Sequence, residues 1–164
     1  MRLETTDARI AAAVATVSQA ALSRESFPSL SVQVTAVSSF DDLTTLAPNR
    51  RTPAAYQRSL GRILVNERVF FDMPENEWVG IIAHELGEYI AACCADCIPE
   101  VGALEADLQA DYVACLLGFS ASLKAGRRDR SGEYHAALDL ADDPSAFVQA
   151  ISRWRDRRLA GLTT

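Results

Sequence analysis

The sequence predicts one α+β domain over residues 1–164, in which a first helix and a small β-sheet precede a run of helices. Three observations support this. Apolar residues recur at helical spacing near the N-terminus and throughout the second half, and alternating or β-branched stretches lie between them. At 164 residues, 49% of them hydrophobic, the chain is long and apolar enough to bury a core of its own.

The N-terminal stretch predicts an amphipathic helix from about Thr6 to Ser23, with Thr5 or Thr6 as its cap. Apolar residues about one turn apart form its buried stripe: Ile10, Val14, Val17 and Ala21. Glu4 and Asp7 stand where a secretory signal would be basic, and no apolar run is long enough to cross a bilayer. We therefore expect a cytoplasmic protein with no membrane partner.

Two later segments predict β-strands. The stretch LSVQVTAV alternates, and its apolar residues share one face: Val32, Val34 and Ala36. Residues 61–71, GRILVNERVFF, are β-branched and aromatic, and they predict a second strand or a hairpin around Asn66-Glu67. The polar, proline-containing residues 38–56 predict a loop with at most a helical turn.

The segment that follows predicts a helix running to about Ala95. Asp72 is a suitable cap, because Pro74 then occupies the first turn and Glu75 stands three residues after the cap. The next helix is predicted from Pro99 to about Lys124.

Gly126 is expected to close that helix as a left-handed cap. Ser131 and Asp143-Pro144 predict the starts of two further helices. The predicted order is therefore one helix, then strands, then helices, which favours the α+β class.

A candidate site lies on the helix after Asp72. His84 and Glu88 are one turn apart, about 40° around the helix axis, so both side chains can reach one ion. Small residues share their face: Gly80, Ala91 and Ala95. The opposite face carries core candidates: Val79, Ile82, Leu86, Ile90, Cys93 and Cys97. A second helix can therefore approach the face that carries His84 and Glu88.

The next helix has a matching acidic face. Asp107 and Asp111 are one turn apart among small residues: Ala103, Ala110, Ala114 and Gly118. Burying two carboxylates costs free energy unless a cation or hydrogen-bond donors compensate. Opposite His84 and Glu88, Asp107 would complete a three-ligand site, while Asp111 would accept a hydrogen bond from the back of His84. Glu105 points about 160° away from Asp107 and is expected outside the site.

The two motifs resemble those of the minimal zincin metallopeptidases, which include the gluzincins and the compact ImmA/IrrE-like proteins. That family has HExxH on one helix and E-x-x-A-D or E-x-x-A-N, then x-x-A, on the next. Here the first motif reads His84-Glu85-Leu86-Gly87-Glu88, and the second runs from Asp107 to Ala114. The resemblance covers residues 62–119. It implies a zincin-like fold, in which an active-site helix packs against a second acidic helix and a preceding strand pairs with extended substrate.

Residue by residue, the resemblance implies that His84 is a metal ligand and that Glu85 is the general base of a peptide hydrolase. Glu88 stands at the position of the second His ligand and Asp107 at that of the Glu ligand, and both can still bind a metal. Asp111 matches the acid behind the ligand shell. The implied cofactor is a divalent metal, zinc first, and the implied partner is a peptide or protein substrate.

The exchange of an imidazole for a carboxylate at Glu88 changes the predicted chemistry. One imidazole and two carboxylates leave a zinc ion near neutral, so it acidifies water less. The same set shifts preference toward manganese or iron(II). We therefore expect a weaker hydrolase at neutral pH, or a different metal. The candidate donors to an oxyanion are Tyr112, Tyr134 and His135.

Other interpretations remain open. His84, Glu85 and Glu88 can form a solvated turn of an amphipathic helix. The zincin shape can also persist as an inactive binding or regulatory module, because loss of the second His is the change most damaging to zinc hydrolysis. A carboxylate-bridged two-metal bundle is disfavoured, because it needs Glu-x-x-His pairs and His84 and His135 are the only histidines.

The net charge, the arginine clusters and the cysteine spacing argue against several further kinds of partner and site. The net charge of -6 argues against nucleic acid as a partner. Arginines cluster at residues 127–130 and 153–158 without aromatic interleaving, which predicts solvated helix ends and not a phosphate patch. Three of the four cysteines lie in CCADC, so they do not resemble a disulfide framework. Cys93 and Cys97 are predicted as buried small residues, not as a second zinc site.

Overall fold

The computed structural model describes residues 2–4, 7–25, 27, 31–37, 52–127, 130 and 132–162. Within these residues, one mixed sheet has the strand order β1-β2-β4-β3. Its strands are β1 (Arg2–Glu4), β2 (Gln33–Val37), β3 (Ala54–Gln57) and β4 (Arg62–Asn66). β2 runs parallel to both β1 and β4, whereas β3 is antiparallel to β4 and forms one edge of the sheet.

Helices make up most of the remaining described chain. They are α1 (Ala8–Leu22), α2 (Glu67–Phe71), α3 (Glu75–Cys93), α4 (Ala106–Leu116), α5 (Ser120–Gly126), α6 (Gly132–Leu138) and α7 (Pro144–Leu162). Short 3-10 turns lie at Arg58–Leu60, between β3 and β4, and at Ala95–Cys97 and Pro99–Val101, between α3 and α4. The predicted α+β class is confirmed. No helix among the described residues is long and apolar enough to cross a bilayer.

The first helix is close to its prediction. Asp7 caps α1, because its Oδ1 accepts hydrogen bonds from Arg9 N at 2.8 Å and Ile10 N at 3.4 Å. The predicted caps Thr5 and Thr6 lie outside the described residues. The predicted stripe is buried in the core: Ile10, Val14, Val17 and Ala21. α1 therefore packs against α3 with the face that its sequence indicates.

The sheet differs from the prediction in two ways. The edge strand β3 (Ala54–Gln57) begins inside the loop predicted over residues 38–56; a strand this short, directly after Pro53, has too little pattern to be recognised. The hairpin around Asn66-Glu67 is wrong, because β4 ends at Asn66 and α2 begins at Glu67, an acid favoured in a first helical turn. Residues 38–51 of the predicted loop lie outside the described residues.

The boundaries of the next helices also differ. Asp72 does not cap α3: it ends α2, and α3 begins at Glu75 after Pro74. The single helix predicted from Pro99 to Lys124 is wrong, because Gly118 has a φ of 89° and separates α4 from α5. Only glycine adopts that backbone conformation readily, so the break is local and steric.

The predicted left-handed cap at Gly126 is also wrong, because Gly126 is the last residue of α5 and its φ is not positive. Ser131 lies outside the described residues, and α6 begins at Gly132. Asp143 does start α7, since its Oδ1 accepts a hydrogen bond from Ala146 N at 3.1 Å.

The core face of α3 is shorter than predicted. Ile82, Leu86 and Ile90 are fully buried, as expected. Cys93 is exposed and Cys97 is half-buried, so their prediction as core residues is wrong. The reason is that α3 ends at Cys93, and helical periodicity no longer applies beyond it.

Candidate functional site

Two glycines allow three helices to meet at the candidate site. A Cβ atom on Gly87 would lie 2.6 Å from both the Cα and the carbonyl oxygen of Ala110 in α4. A Cβ atom on Gly80 would lie 2.8 Å from the backbone nitrogen of Leu123 in α5. Both distances are too short for any side chain. The small face of α3 therefore brings α4 and α5 into backbone contact on either side of His84.

His84 is held from behind by Asp111. Nδ1 of His84 lies 2.8 Å from Oδ1 of Asp111, whose side chain is fully buried. Burial acts to raise the pKa of Asp111, but hydrogen bonding to His84 and neighbouring positive charge hold it below its usual value. Asp111 is therefore ionised and accepts the Nδ1 proton. This leaves Nε2 directed toward Asp107, with its nitrogen 3.5 Å from Asp107 Oδ1.

Two arginines, Arg127 and Arg130, neutralise the acidic face of α4. Arg127 Nη2 donates to Oδ1 of Asp107 at 3.2 Å and to Oδ1 of Asp111 at 3.3 Å. Arg130 donates to the Oδ2 atoms of the same two acids, at 2.9 Å and 3.2 Å. The prediction that these two arginines are solvated helix ends is therefore wrong. The signal that points to them is the pair of acids itself, because buried carboxylates require compensating charge.

The guanidinium group of Arg127 also contacts the imidazole ring. Its Nη2 atom is 3.2 Å from Nδ1 and 3.2 Å from Nε2 of His84. An atom equally far from both ring nitrogens does not lie along the lone pair of Nε2. Arg127 Nη2 therefore does not occupy the position in line with that lone pair.

The carboxylate of Glu85 lies next to the edge strand β3. This carboxylate is almost fully buried, and its Oε2 accepts a hydrogen bond from the backbone N–H of Tyr56 at 2.6 Å. Burial raises the pKa of Glu85 to about 7, despite the opposing effect of His84. Glu88, one turn after His84, is only partly buried; burial raises its pKa, and the charges of His84 and Asp107 act on it. Glu85 can therefore gain or lose a proton near neutral pH.

A cleft of about 330 Å³ opens over these groups. It is bounded by residues 52–54 beside β3, by α3, and by α5; its polar lining includes His84, Glu85, Asp107 and Arg127. The carbonyl oxygen of Pro53 accepts a hydrogen bond from Asn66 N of β4 at 2.8 Å, whereas Tyr56 N–H points away from β4 toward Glu85. Because a strand alternates, Ala54 also directs its N–H and C=O away from β4, toward the cleft.

The three candidate oxyanion donors do not line this cleft. The Tyr134 hydroxyl donates a hydrogen bond to Oδ2 of Asp111. The ring of Tyr112 packs on Phe147 at a centroid distance of 4.9 Å. His135 Nε2 donates to the backbone carbonyl of Arg127 at 3.0 Å. Arg127 lines the cleft near His84 instead, and so do the hydroxyl residues Thr52 and Ser122.

The donor atoms fit a metal ion in part. Two ligands bonded at about 2.0–2.2 Å and separated by a tetrahedral angle lie about 3.3–3.5 Å apart. The 3.5 Å between His84 Nε2 and Asp107 Oδ1 matches this spacing. Among the described residues, however, no three His, Cys, Asp or Glu side chains are close enough together to hold an ion.

Comparison of the chain with protein-family models, with curated proteins and with solved structures finds no match in any of the three.

Proposed function

We propose that the protein is a zincin-like, metal-dependent hydrolase of peptide bonds, with Glu85 as its general base. The observation that carries this proposal is the hydrogen bond between His84 and Asp111, which turns Nε2 of His84 toward Asp107 Oδ1 at 3.5 Å. The buried carboxylate of Glu85 adjoins this pair and the edge strand β3. The side chains proposed as nitrogen ligand, carboxylate ligand and proton acceptor therefore line one cleft.

His84 and Asp107 would supply two ligands to the ion, and Glu88 would supply the third once its side chain turns toward them. Imidazole and carboxylate donors suit zinc, and the carboxylate-rich set also suits manganese or iron(II). When bound, the ion supplies the Lewis acidity that activates water and polarises the peptide carbonyl. Asp111 keeps the Nδ1 proton on His84, which reserves Nε2 for the ion.

Glu85 would move the proton during hydrolysis. In the first step its carboxylate accepts a proton from the attacking water, and in the second it gives that proton to the nitrogen of the leaving amine. A pKa of about 7 lets the same group do both near neutral pH. The hydrogen bond from Tyr56 N–H fixes the orientation of the carboxylate relative to β3.

The edge strand supports a peptide as substrate. β3 is paired on one side only, and the backbone of Ala54 faces the cleft, so an extended peptide can add to the sheet there. Such pairing would lay the peptide backbone alongside Glu85. The cleft of about 330 Å³ accommodates one side chain of the peptide beside its apolar wall, which includes Met73, Ile81 and Leu123.

Reconstitution and cleavage test this function. Chelator-stripped protein is loaded with Zn²⁺, Mn²⁺ or Fe²⁺ and incubated with a mixture of unstructured peptides, and products are identified by mass spectrometry. We expect cleavage that Glu85→Gln abolishes while metal content is kept, and that His84→Ala abolishes with loss of metal. Glu75→Gln, an exposed acid on the same helix, is the matched control and should cleave normally. Cleavage that survives Glu85→Gln, or none from fully loaded protein, would refute the proposal.

A second function is favoured by one specific observation. Arg127 and Arg130 pair with both Asp107 and Asp111, so the acidic face is compensated without any ion. The protein would then be a zincin-fold module that binds extended peptides against β3 without cleaving them. Peptide binding that is unchanged by chelator, with no cleavage under any metal, would support this function over the hydrolase.

A further inference from the structure

We propose that the guanidinium group of Arg127 competes with a divalent cation for Oδ1 of Asp107, and that Arg127 thereby sets the metal affinity of the site. This inference rests on the proposed metal-binding function and names what regulates it. Arg127 would act as an internal counter-ion: it stabilises the site when metal is absent and must withdraw when metal binds.

The two oxygens of Asp107 have different partners. Oδ2 accepts from Arg130 Nη2 at 2.9 Å. Oδ1 accepts from Arg127 Nη2 at 3.2 Å, and it is also the oxygen that lies 3.5 Å from His84 Nε2. A cation bound to both His84 and Asp107 must therefore take Oδ1, the oxygen that Arg127 holds. Arg130 can keep Oδ2 throughout.

Electrostatic repulsion opposes simultaneous binding of the Arg127 guanidinium group and a metal ion at this site. Arg127 Nη2 lies 3.2 Å from His84 Nε2. An ion bonded to Nε2 at about 2.0–2.1 Å would then be no more than about 5 Å from the guanidinium nitrogen. Two positive groups this close in a partly buried site repel strongly. The cleft therefore favours either the guanidinium group or the ion beside Asp107 Oδ1.

Arg127 can move its side chain without moving its backbone. Its N–H bonds to the carbonyl oxygens of Leu123 at 3.0 Å and Lys124 at 3.2 Å, and its own carbonyl accepts from His135 at 3.0 Å. The side chain, in contrast, is 25% exposed and borders the open cleft. Withdrawal then needs rotation of the side chain into solvent and the loss of its hydrogen bonds to Asp107 and Asp111.

Arg130 is the fixed member of the pair. Its side chain is only 12% exposed, and its guanidinium carbon lies 4.6 Å from the centre of the Tyr134 ring. Tyr134 in turn bonds Asp111, so Arg130 belongs to the packing of α4 against α6. The competition is therefore assigned to Arg127 alone.

Metal titration of variants tests the competition. The full chain is stripped with chelator, and Mn²⁺ affinity is measured by calorimetry; Mn²⁺ is used because it binds thiols weakly, which excludes the three cysteines near the end of α3. We expect Arg127→Gln to bind Mn²⁺ about tenfold or more tightly than wild type. Lys124→Gln removes one positive charge from α5, three residues before Arg127, where Lys124 pairs with Asp139, and it should bind Mn²⁺ like wild type.

Arg127→Lys provides a second variant that keeps the charge and loses the paired geometry, and it should fall between wild type and Arg127→Gln. Adding His84→Ala to Arg127→Gln should abolish the gain. Equal affinity in wild type and Arg127→Gln would overturn the competition but leave the hydrolase standing. Tight metal binding by Arg127→Gln without peptide cleavage would uphold the competition and refute the hydrolase. Absence of binding in both proteins would overturn both proposals.

Discussion

Nδ1 of His84 and Oδ1 of Asp111 lie 2.8 Å apart and join α3 to α4 through two side chains of which one is fully buried. Asp111 also accepts from the Tyr134 hydroxyl and from Arg127 and Arg130, so groups from α3, from α6 and from the segment between α5 and α6 meet at one carboxylate. The pair therefore serves packing as well as chemistry. Loss of this pair should therefore lower the free energy of unfolding, independently of any effect on activity.

Asp111→Asn should lower the free energy of unfolding by about 3–5 kcal/mol, because it removes the charge that compensates two guanidinium groups and one imidazole. The matched substitution Asp107→Asn should cost clearly less, since the Asp107 side chain is 45% exposed. Urea unfolding of the metal-free proteins, followed by circular dichroism, measures both. Equal losses in the two variants would contradict the central role of Asp111.

Gly87→Ala should destabilise the protein by about 1–3 kcal/mol or prevent folding, since the added methyl would overlap the backbone of Ala110 and separate α3 from α4. Gly161→Ala is the control, because nothing lies within 4 Å of a Cβ atom at that position in α7. Thermal unfolding midpoints of the two variants give the comparison. A Gly87→Ala protein as stable as wild type would mean that the two helices are not in backbone contact.

Glu85→Gln should stabilise the metal-free protein in a pH-dependent way. Burial raises the pKa of Glu85 from 4.5 to about 7, so its stabilising effect is complete below about pH 4.5 and is lost as the pH rises through 7. The glutamine variant, which cannot ionise, should therefore match wild type near pH 4.5. It should exceed wild type by up to about 3 kcal/mol at pH 8. Urea unfolding in the presence of chelator measures the difference, and a gap independent of pH would contradict the burial of this carboxyl.

Ala54→Pro should impair peptide recognition and leave the sheet intact. The N–H of Ala54 faces the cleft and not β4, so proline removes a donor to substrate and no ladder hydrogen bond. Loss of one such bond corresponds to a reduction of up to about tenfold in peptide affinity or kcat/KM. Ala55→Pro is the matched control, because Ala55 faces β4 and its substitution should disturb folding as seen by circular dichroism. Unchanged peptide binding by a folded Ala54→Pro protein would show that substrate does not pair with β3.

Periodicity located several elements correctly. The stripe of α1, the strands around Val34 and Ile63, and the core face of α3 at Ile82, Leu86 and Ile90 are all buried as their spacing indicates. Helix ends and short strands could not be predicted in this way, because they depend on single residues and not on a repeating pattern. Gly118 divides one apparent helix into α4 and α5 through its backbone conformation, and β3 is too short to show a period.

The sequence by itself determined the spacing of His84, Glu85 and Glu88 on one helix and of Asp107 and Asp111 on another, since helical geometry places residues four apart on one face. Only the tertiary structure decided what compensates those acids. Arg127 and Arg130 come from the segment between α5 and α6, and their approach depends on how α4, α5 and α6 pack. An uncompensated buried carboxylate costs free energy, so a cationic side chain pairs with it. That side chain can come from a distant segment, and the sequence around the carboxylate does not indicate which one it is.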